Sequence, residues 1–467
     1  MTSTLALPVV ESGTDRLTAI LAERPLYIGV ETTNICNARC VFCAYPKMRR
    51  AKEVMSPELF RKIISDYVEM GGGAIGLTPI VGDVLIDPHL LDRLRLLRET
   101  EEITNVSFTT NAIAWDRYDE SQQRSILQST HTICISIGGL DETSYAEMFA
   151  VDRFAKVRRA IDDMCRIKSR DGLPVELHLL FRVNQPFDEL MSDPRMEAMR
   201  RAEITSVTSI NNFGNWGGVI GPNDLPNGAH LVQVETAPDR IRKTKRNPCF
   251  VFYVNPEITC NGLVSACGCM NAEAEELILG DVRTQHLRDI WRGAKRRELK
   301  AAFGTDALSD ICKRCSYYAD GEQFIRQPGL AHFRIGDNPW ELIRRHAGAS
   351  PCEQLAGVLG RLVGEGYQRI ALYGAGTFTR TALLDEGFDA SRWPIVAVID
   401  DNQDLRDGRI ADLPIVSRDK ALTLGVDAAI LCTDWHTQSM WNAAKPLCDA
   451  GVHVEPIDSH FVPSGES

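Results

Sequence analysis

Nowhere does the chain run to the roughly 18 uncharged apolar residues that a membrane-spanning helix needs. Its opening, MTSTLALPVVESGTDR, has neither the basic flank nor the long apolar core of a secretory signal. Both absences predict a soluble, cytoplasmic protein. Basic charge is in deficit, with 52 Lys and Arg against 63 Asp and Glu and a formal net charge of −11. That balance argues against nucleic-acid or anionic-membrane partners. Internal repeats and low-complexity tracts are missing, and 44% of the 467 residues are hydrophobic, which excludes disorder. The length corresponds to about three domains.

Cysteine, by contrast, is plentiful. Fourteen in a reducing compartment point to metal binding or redox chemistry rather than disulfides. They are unevenly spread. Cys36, Cys40 and Cys43 form one group, and Cys249, Cys260, Cys267, Cys269, Cys312 and Cys315 a second. The remaining five are scattered.

Six β-rich runs (27–33, 74–81, 105–111, 131–137, 175–183 and 206–213) alternate with apolar repeats of helical period, such as Leu59, Ile63, Ile64, Tyr67 and Val68. Ser56-Pro57 and Asp87-Pro88 each place a capping side chain before a proline, which suits a helix start. The pattern predicts an α/β fold with a parallel sheet and right-handed crossovers. Six units fall two short of a full eight-fold barrel, so a partial (β/α)6 TIM-like barrel is expected over 25–233, after an N-terminal segment 1–24. Residues 234–335 lose this rhythm and carry the second cysteine group with a helix at 287–303. They are expected to form a small cysteine-rich α+β domain stapled by metal.

Residues 340–467 predict a small Rossmann-like α/β domain, with strands at 369–373, 395–400 and 428–433 and a Gly374–Gly376 turn. Gly374-x-Gly376-x-x-Thr379 puts threonine where a dinucleotide fingerprint has its third glycine, with Asp400 and Asp401 at the ribose position. The defect argues against NAD. It leaves a nucleotide portion of the substrate, self-association or plain packing as roles for this domain.

Cys36-Asn-Ala-Arg-Cys40-Val-Phe-Cys43 follows the first strand, on the rim where such folds keep their active sites. Three thiolates this close can hold one face of an iron–sulfur cube and leave one iron open to another chelator. Zinc would need a fourth ligand, for which His89 or His131 is available only through folding. On its C-x3-C-x2-C motif with Phe42 before the last cysteine, the chain resembles the radical S-adenosylmethionine (radical SAM) superfamily. Gly82-Asp83-Val84 resembles the Gly-Glu-type motif that meets the methionine amino group, although the family's commonest form is Gly-Glu-Pro. Asn111, after Thr110, and Ser136 resemble positions that meet the nucleoside, and Arg182 one that meets the carboxylate. The resemblance implies that S-adenosylmethionine chelates the open iron of a 4Fe–4S cluster. A flavodoxin- or ferredoxin-type donor supplies an electron, and a 5′-deoxyadenosyl radical takes hydrogen from the substrate.

Cys249, Cys267, Cys312 and Cys315, with Gly262 five residues before Cys267, resemble the auxiliary-cluster domain called SPASM. They are closest to its shortened twitch form, which implies that these four ligate a second 4Fe–4S cluster. A zinc ribbon shares the loop spacing. Cys269 competes with Cys267 for the ligand position. Cys260 and Cys269 are otherwise either hydrogen donors to a carbon radical or small buried hydrophobes.

Members with one auxiliary cluster that this chain resembles include aminocyclitol dehydrogenases and sugar epimerases of antibiotic pathways. The implied reaction is hydrogen abstraction from a hydroxyl-bearing carbon of a small-molecule or oligosaccharide substrate, with epimerisation by Cys260 or Cys269. The alternatives are oxidation of that carbinol to a ketone, with the auxiliary cluster as acceptor, and a SPASM-type peptide maturase. The N-terminal 25 residues are too short for the winged-helix leader-binding domain that a maturase usually needs. Nothing in the sequence fixes an oligomeric state. Anaerobically reconstituted protein should hold about eight irons per chain, for two four-iron clusters. Half that amount together with bound zinc would contradict the second cluster.

Overall fold

The computed structural model describes residues 13–199, 201–232, 234–268, 270–325, 351–384, 388–402, 405, 408–432 and 437–457. The chain divides into two units, Met1–Arg345 and His346–Ser467. The domain boundary expected between 335 and 340 lies outside the described residues.

Period-two patterning builds the first unit. In Glu176–Arg182, Leu177, Leu179 and Phe181 are buried while Glu176, His178, Leu180 and Arg182 are half-buried. This strand, β5, belongs to a parallel series of β1 (Tyr27–Val30), β2 (Gly73–Gly76), β3 (Ile103–Thr110), β4 (Thr132–Ile137), β5 and β6 (Ile204–Ile210), neighbours in that order. A parallel series without reversal sends every right-handed crossover to one face. Accordingly, Phe60, Ile63, Leu94, Ile126 and Ile161 of the intervening helices share one core with Ile75, Phe108, Ile135 and Leu179 of the strands. The other face carries Ser107, Thr109, Cys134, Ser136, His178 and Arg182, with Leu180 among them, by the same alternation. It is polar and partly open.

Several elements differ from the sequence expectation for local reasons. β1 stops at Val30 because Thr33 and Asn34 turn away, both donating to the Glu53 carbonyl. Ser56 caps the helix Pro57–Glu69 as expected, its side chain accepting from the Leu59 N–H. Asp87 does not cap the next helix, which starts at Leu90. It instead accepts from the His89 N–H and from Arg93 in a buried ion pair. The helix expected at 287–303 is two helices, Leu287–Trp291 and Ala294–Ala301, interrupted around Gly293. The sixth run splits, with Asn212–Phe213 (β7) leaving the main sheet to pair with His230–Leu231 (β8).

The second cysteine region adds its strands to the same sheet. β9 (Glu257–Ile258) pairs in parallel with the free edge of β1, followed by antiparallel β10 (Leu263–Ser265) and β11 (Ile278–Asp281). Nine strands result. The helix Gly13–Glu23, within the expected N-terminal segment, packs Leu17, Ile20 and Leu21 against Tyr253 and Val254 of this region. No helix among the described residues is long and apolar enough to cross a membrane.

In the second unit, β12 (Ile370–Tyr373) lies centrally in the order β14-β15-β13-β12-β16-β17. The others are β13 (Ile395–Ile399), β14 (Arg409–Ile410), β15 (Leu413–Val416), β16 (Ala428–Leu431) and β17 (His453–Pro456). All neighbours are parallel except the β14–β15 hairpin. Because the order reverses at β12, each face has its own core. Ile370 and Leu372 join Leu355, Leu359 and Leu362, whereas Ala371 and Tyr373 join Ala421, Ala444 and Leu447. After β12, Gly374 has φ +107° and the Asp400 carboxylate accepts the Ala375 N–H at 2.7 Å. The acid at the ribose position therefore secures the loop itself, and the Thr379 hydroxyl donates back to the Gly374 carbonyl.

Gly29 of β1 sits against Glu257 of β9, and a Cβ there would overlap the buried Glu257 carboxylate. Gly29→Ala should cost about 1–3 kcal/mol by overpacking, read as a lowered chemical-denaturation midpoint. An unchanged midpoint would contradict this packing.

Candidate functional site

The loop after β1 is fastened from several directions. Ile35 accepts the Asp83 N–H at 2.9 Å, the Arg39 and Val41 N–H groups reach the Phe149 and Met148 carbonyls, and Trp216 Nε1 donates to the Phe42 carbonyl at 2.9 Å. Cys36, Cys40 and Cys43 are held near one another within it. Burial pushes the Cys36 thiol up to about 12, with the Asp83 charge as the second cause. Cys40 is raised well above the usual thiol range by burial and then by its two companions, and Cys43 is raised by burial. Three such thiolates are tolerable in one buried place only with compensating cations, which iron supplies. Donor type and crowding fit the expected cluster.

The remaining residues that the sequence pointed to converge on this loop. Gly82 has φ +136°, and a Cβ there would come 2.8 Å from the Thr33 carbonyl. Asp83 is buried, and its carboxylate accepts from the Leu85 N–H, the Thr110 hydroxyl and the Asn111 N–H at 2.7–3.0 Å. Burial nevertheless lifts it to about 6. Asn111 donates to Asn37 Oδ1 at 2.8 Å and lies 3.6 Å from Cys36 Sγ. Arg182 Nε donates to Ser136 Oγ at 3.2 Å, and its guanidinium stands 5.3 Å from the Phe42 ring centroid. Its charge also opposes the rise at Cys40 and Cys43. Phe42 packs between Phe149 and Phe213.

Cys249, Cys267, Cys312 and Cys315 line a separate pocket whose other walls include Val251, Phe252, Leu277 and Phe303. Burial pushes Cys249 and Cys315 up to about 12 and Cys312 to about 11. Among the described residues no three His, Cys, Asp or Glu side chains close on a single metal ion. Four thiols around an apolar hollow fit a four-iron cluster. Cys269 lies outside the described residues.

Cys260 stands elsewhere, buried beside Glu31. Its N–H lies 3.4 Å from Glu31 Oε1, and the Glu31 charge is the second cause, after burial, that raises its thiol. Arg50 holds Glu31 with two bonds of 2.8 and 3.0 Å. Glu257 is close by, raised well above the carboxylate range by burial and then by the Glu31 charge, and its Oε1 has no partner. Sequence reasoning missed Glu31, Arg50 and Glu257. The one usable signal was an acid at Glu31 on the face of β1 shared with Tyr27 and Gly29.

Asp83 ties the cysteine loop to β3. Asp83→Ala would leave up to three buried donors unpaired at about 1–3 kcal/mol each, so it should lower both the denaturation midpoint and iron retention. Retention of both would show that the loop does not depend on this carboxylate.

Comparison with known proteins bears on these two sites. The radical SAM superfamily model matches residues 30–191, and the SPASM iron–sulfur cluster-binding domain model matches residues 249–316. Curated relatives include the GTP 3',8-cyclase of Chlorobaculum tepidum, 26% identical over 154 residues, covering 33% of this chain and 44% of the relative. That of Mannheimia succiniciproducens is 23% identical over 217 residues, covering 45% and 62%. The chain thus spans about half the length of the curated relatives it matches. Among solved structures, BtrN in complex with AdoMet and 2-DOIA is 15% identical with a TM-score of 0.42, covering 64% of this chain and 95% of that one. Streptococcus suis SuiB bound to precursor peptide SuiA is 14% identical with a TM-score of 0.48, covering 70% and 78%. Residues 30–191 are a radical SAM domain, which binds S-adenosylmethionine and a 4Fe–4S cluster, and residues 249–316 are a SPASM domain, which binds auxiliary iron–sulfur clusters.

Proposed function

We propose that this protein removes a hydrogen atom from a hydroxyl-bearing carbon of a sugar or aminocyclitol and returns one from Cys260 to the opposite face, inverting the centre. The observation that carries this reading is the polar face of the sheet. Ser107, Thr109, Ser136, His178 and Arg182 come from successive strands on the side away from the helices, and Ser136 and Arg182 meet at the cysteine loop. Hydroxyl, imidazole and guanidinium groups in such a row suit a substrate rich in hydroxyls or amines. When bound, S-adenosylmethionine and its cluster supply the 5′-deoxyadenosyl radical.

The chain's own contribution is orientation and a hydrogen atom. A thiolate has no hydrogen to give. Burial pushes Cys260 up to about 12, with the Glu31 charge next, so its S–H stays intact at neutral pH. Glu31 stands beside Cys260, accepting from its backbone N–H, while Arg50 fixes the carboxylate. After donation the sulfur radical needs one electron and one proton, drawn from a flavodoxin- or ferredoxin-type reductant and from solvent.

The burial of Cys260, only 3% exposed, favours a second reading. In it the same carbinol loses its hydrogen atom, then its hydroxyl proton and one electron, to give a ketone, with the auxiliary site as electron acceptor and no thiol required. The distinguishing experiment first screens sugars and aminocyclitols for 5′-deoxyadenosine release, then runs the active one in deuterated water. Epimerisation predicts one deuterium at the inverted carbon, and no inverted product from Cys260→Ala. A ketone product supports oxidation instead, and full inversion by Cys260→Ala would sink the donor assignment.

A further inference from the structure

Lys245 lies four residues before Cys249, just past the helix Pro238–Thr244, and is only 5% exposed. Its ammonium donates to the carbonyl oxygens of Cys312, Lys313 and Cys315 at 2.7, 3.1 and 2.8 Å. It also stands 5.8 Å from the Tyr318 ring centroid. Three acceptors match the three donors of an ammonium, so the group is satisfied as a cation although buried. Its own backbone is fixed by bonds to Ile241 and Gly304.

The surroundings give that charge its weight. The hollow is walled by residues such as Val251, Phe252, Leu277, Phe303 and Ile311, which screen poorly. A four-iron cluster on four thiolates gains a negative charge when reduced. An apolar wall opposes that gain and lowers the reduction potential, and a buried cation opposes the lowering.

We propose that Lys245 is a positioning residue of the auxiliary cluster, pinning the Cys312–Cys315 loop through its carbonyls and raising the cluster's potential so that it can take up an electron. The inference rests on the SPASM domain and its ligands, and it holds whichever carbon the enzyme attacks. It gives the auxiliary site the character of an acceptor rather than a structural staple.

The test uses full-length, anaerobically reconstituted protein and EPR-monitored redox titration. The auxiliary signal is isolated in a Cys36→Ala, Cys40→Ala, Cys43→Ala background. Lys245→Gln keeps an amide donor for the carbonyls and removes the charge, whereas Lys245→Arg keeps the charge. The auxiliary midpoint should move to more negative potential in the Gln variant and stay near wild type in the Arg variant. In the otherwise wild-type chain, the midpoint of the cluster held by Cys36, Cys40 and Cys43 should not move in either. An unchanged auxiliary midpoint in Lys245→Gln overturns the proposal, and so do equal shifts in the two variants. Loss of the auxiliary irons in Lys245→Gln overturns the redox role and leaves a scaffold.

Discussion

Both cysteine sites hang from β1, a strand of four residues. Its parallel register with β9, Gly29 opposite Glu257 and Val30 opposite Ile258, carries the second cysteine region into the sheet that bears the first. The pairing is close because Gly29 leaves room for the Glu257 side chain. It also brings Cys260, just past β9, onto the carboxylate of Glu31, just past β1. The register joins the two sites through one sheet and one shared hydrophobic core. With it, a buried network of Glu31, Arg50, Glu257 and Cys260 lies in the seam.

The two sites differ in how their charge is managed. The first offers three thiols amid polar company: Arg182 near Cys40 and Cys43, Asn111 near Cys36, and Asp83 beneath the loop. Three ligands leave a coordination position for an exogenous chelator. The second offers four thiols in an apolar hollow, with Lys245 at its CxxC loop. A closed, cation-backed cage suits transfer of an electron, whereas the open one suits chemistry on a bound molecule.

Much of this was legible in the sequence because it depends on short-range spacing. Cys36, Cys40 and Cys43 lie within one loop, and the order of the six parallel strands follows from period-two runs separated by helical ones. Residues that matter through tertiary contact left no such trace. Lys245 meets Cys312, Lys313 and Cys315 across 67 to 70 positions, and Cys260 meets Glu31 across 229. Strand pairing β1–β9 was equally hidden, since two-residue strands carry no period. The roles of Asp400 and Thr379 were hidden for the same reason: they bond the Ala375 N–H and the Gly374 carbonyl of the loop itself.

The central claim is that one site is open to S-adenosylmethionine and the other closed. EPR spectra of the reduced, iron-replete protein, recorded before and after adding S-adenosylmethionine, address it directly. The spectrum should change in the wild-type chain and stay fixed when Cys36, Cys40 and Cys43 are all alanine. An unchanged wild-type spectrum, or a shift that persists in the triple variant, would contradict the account.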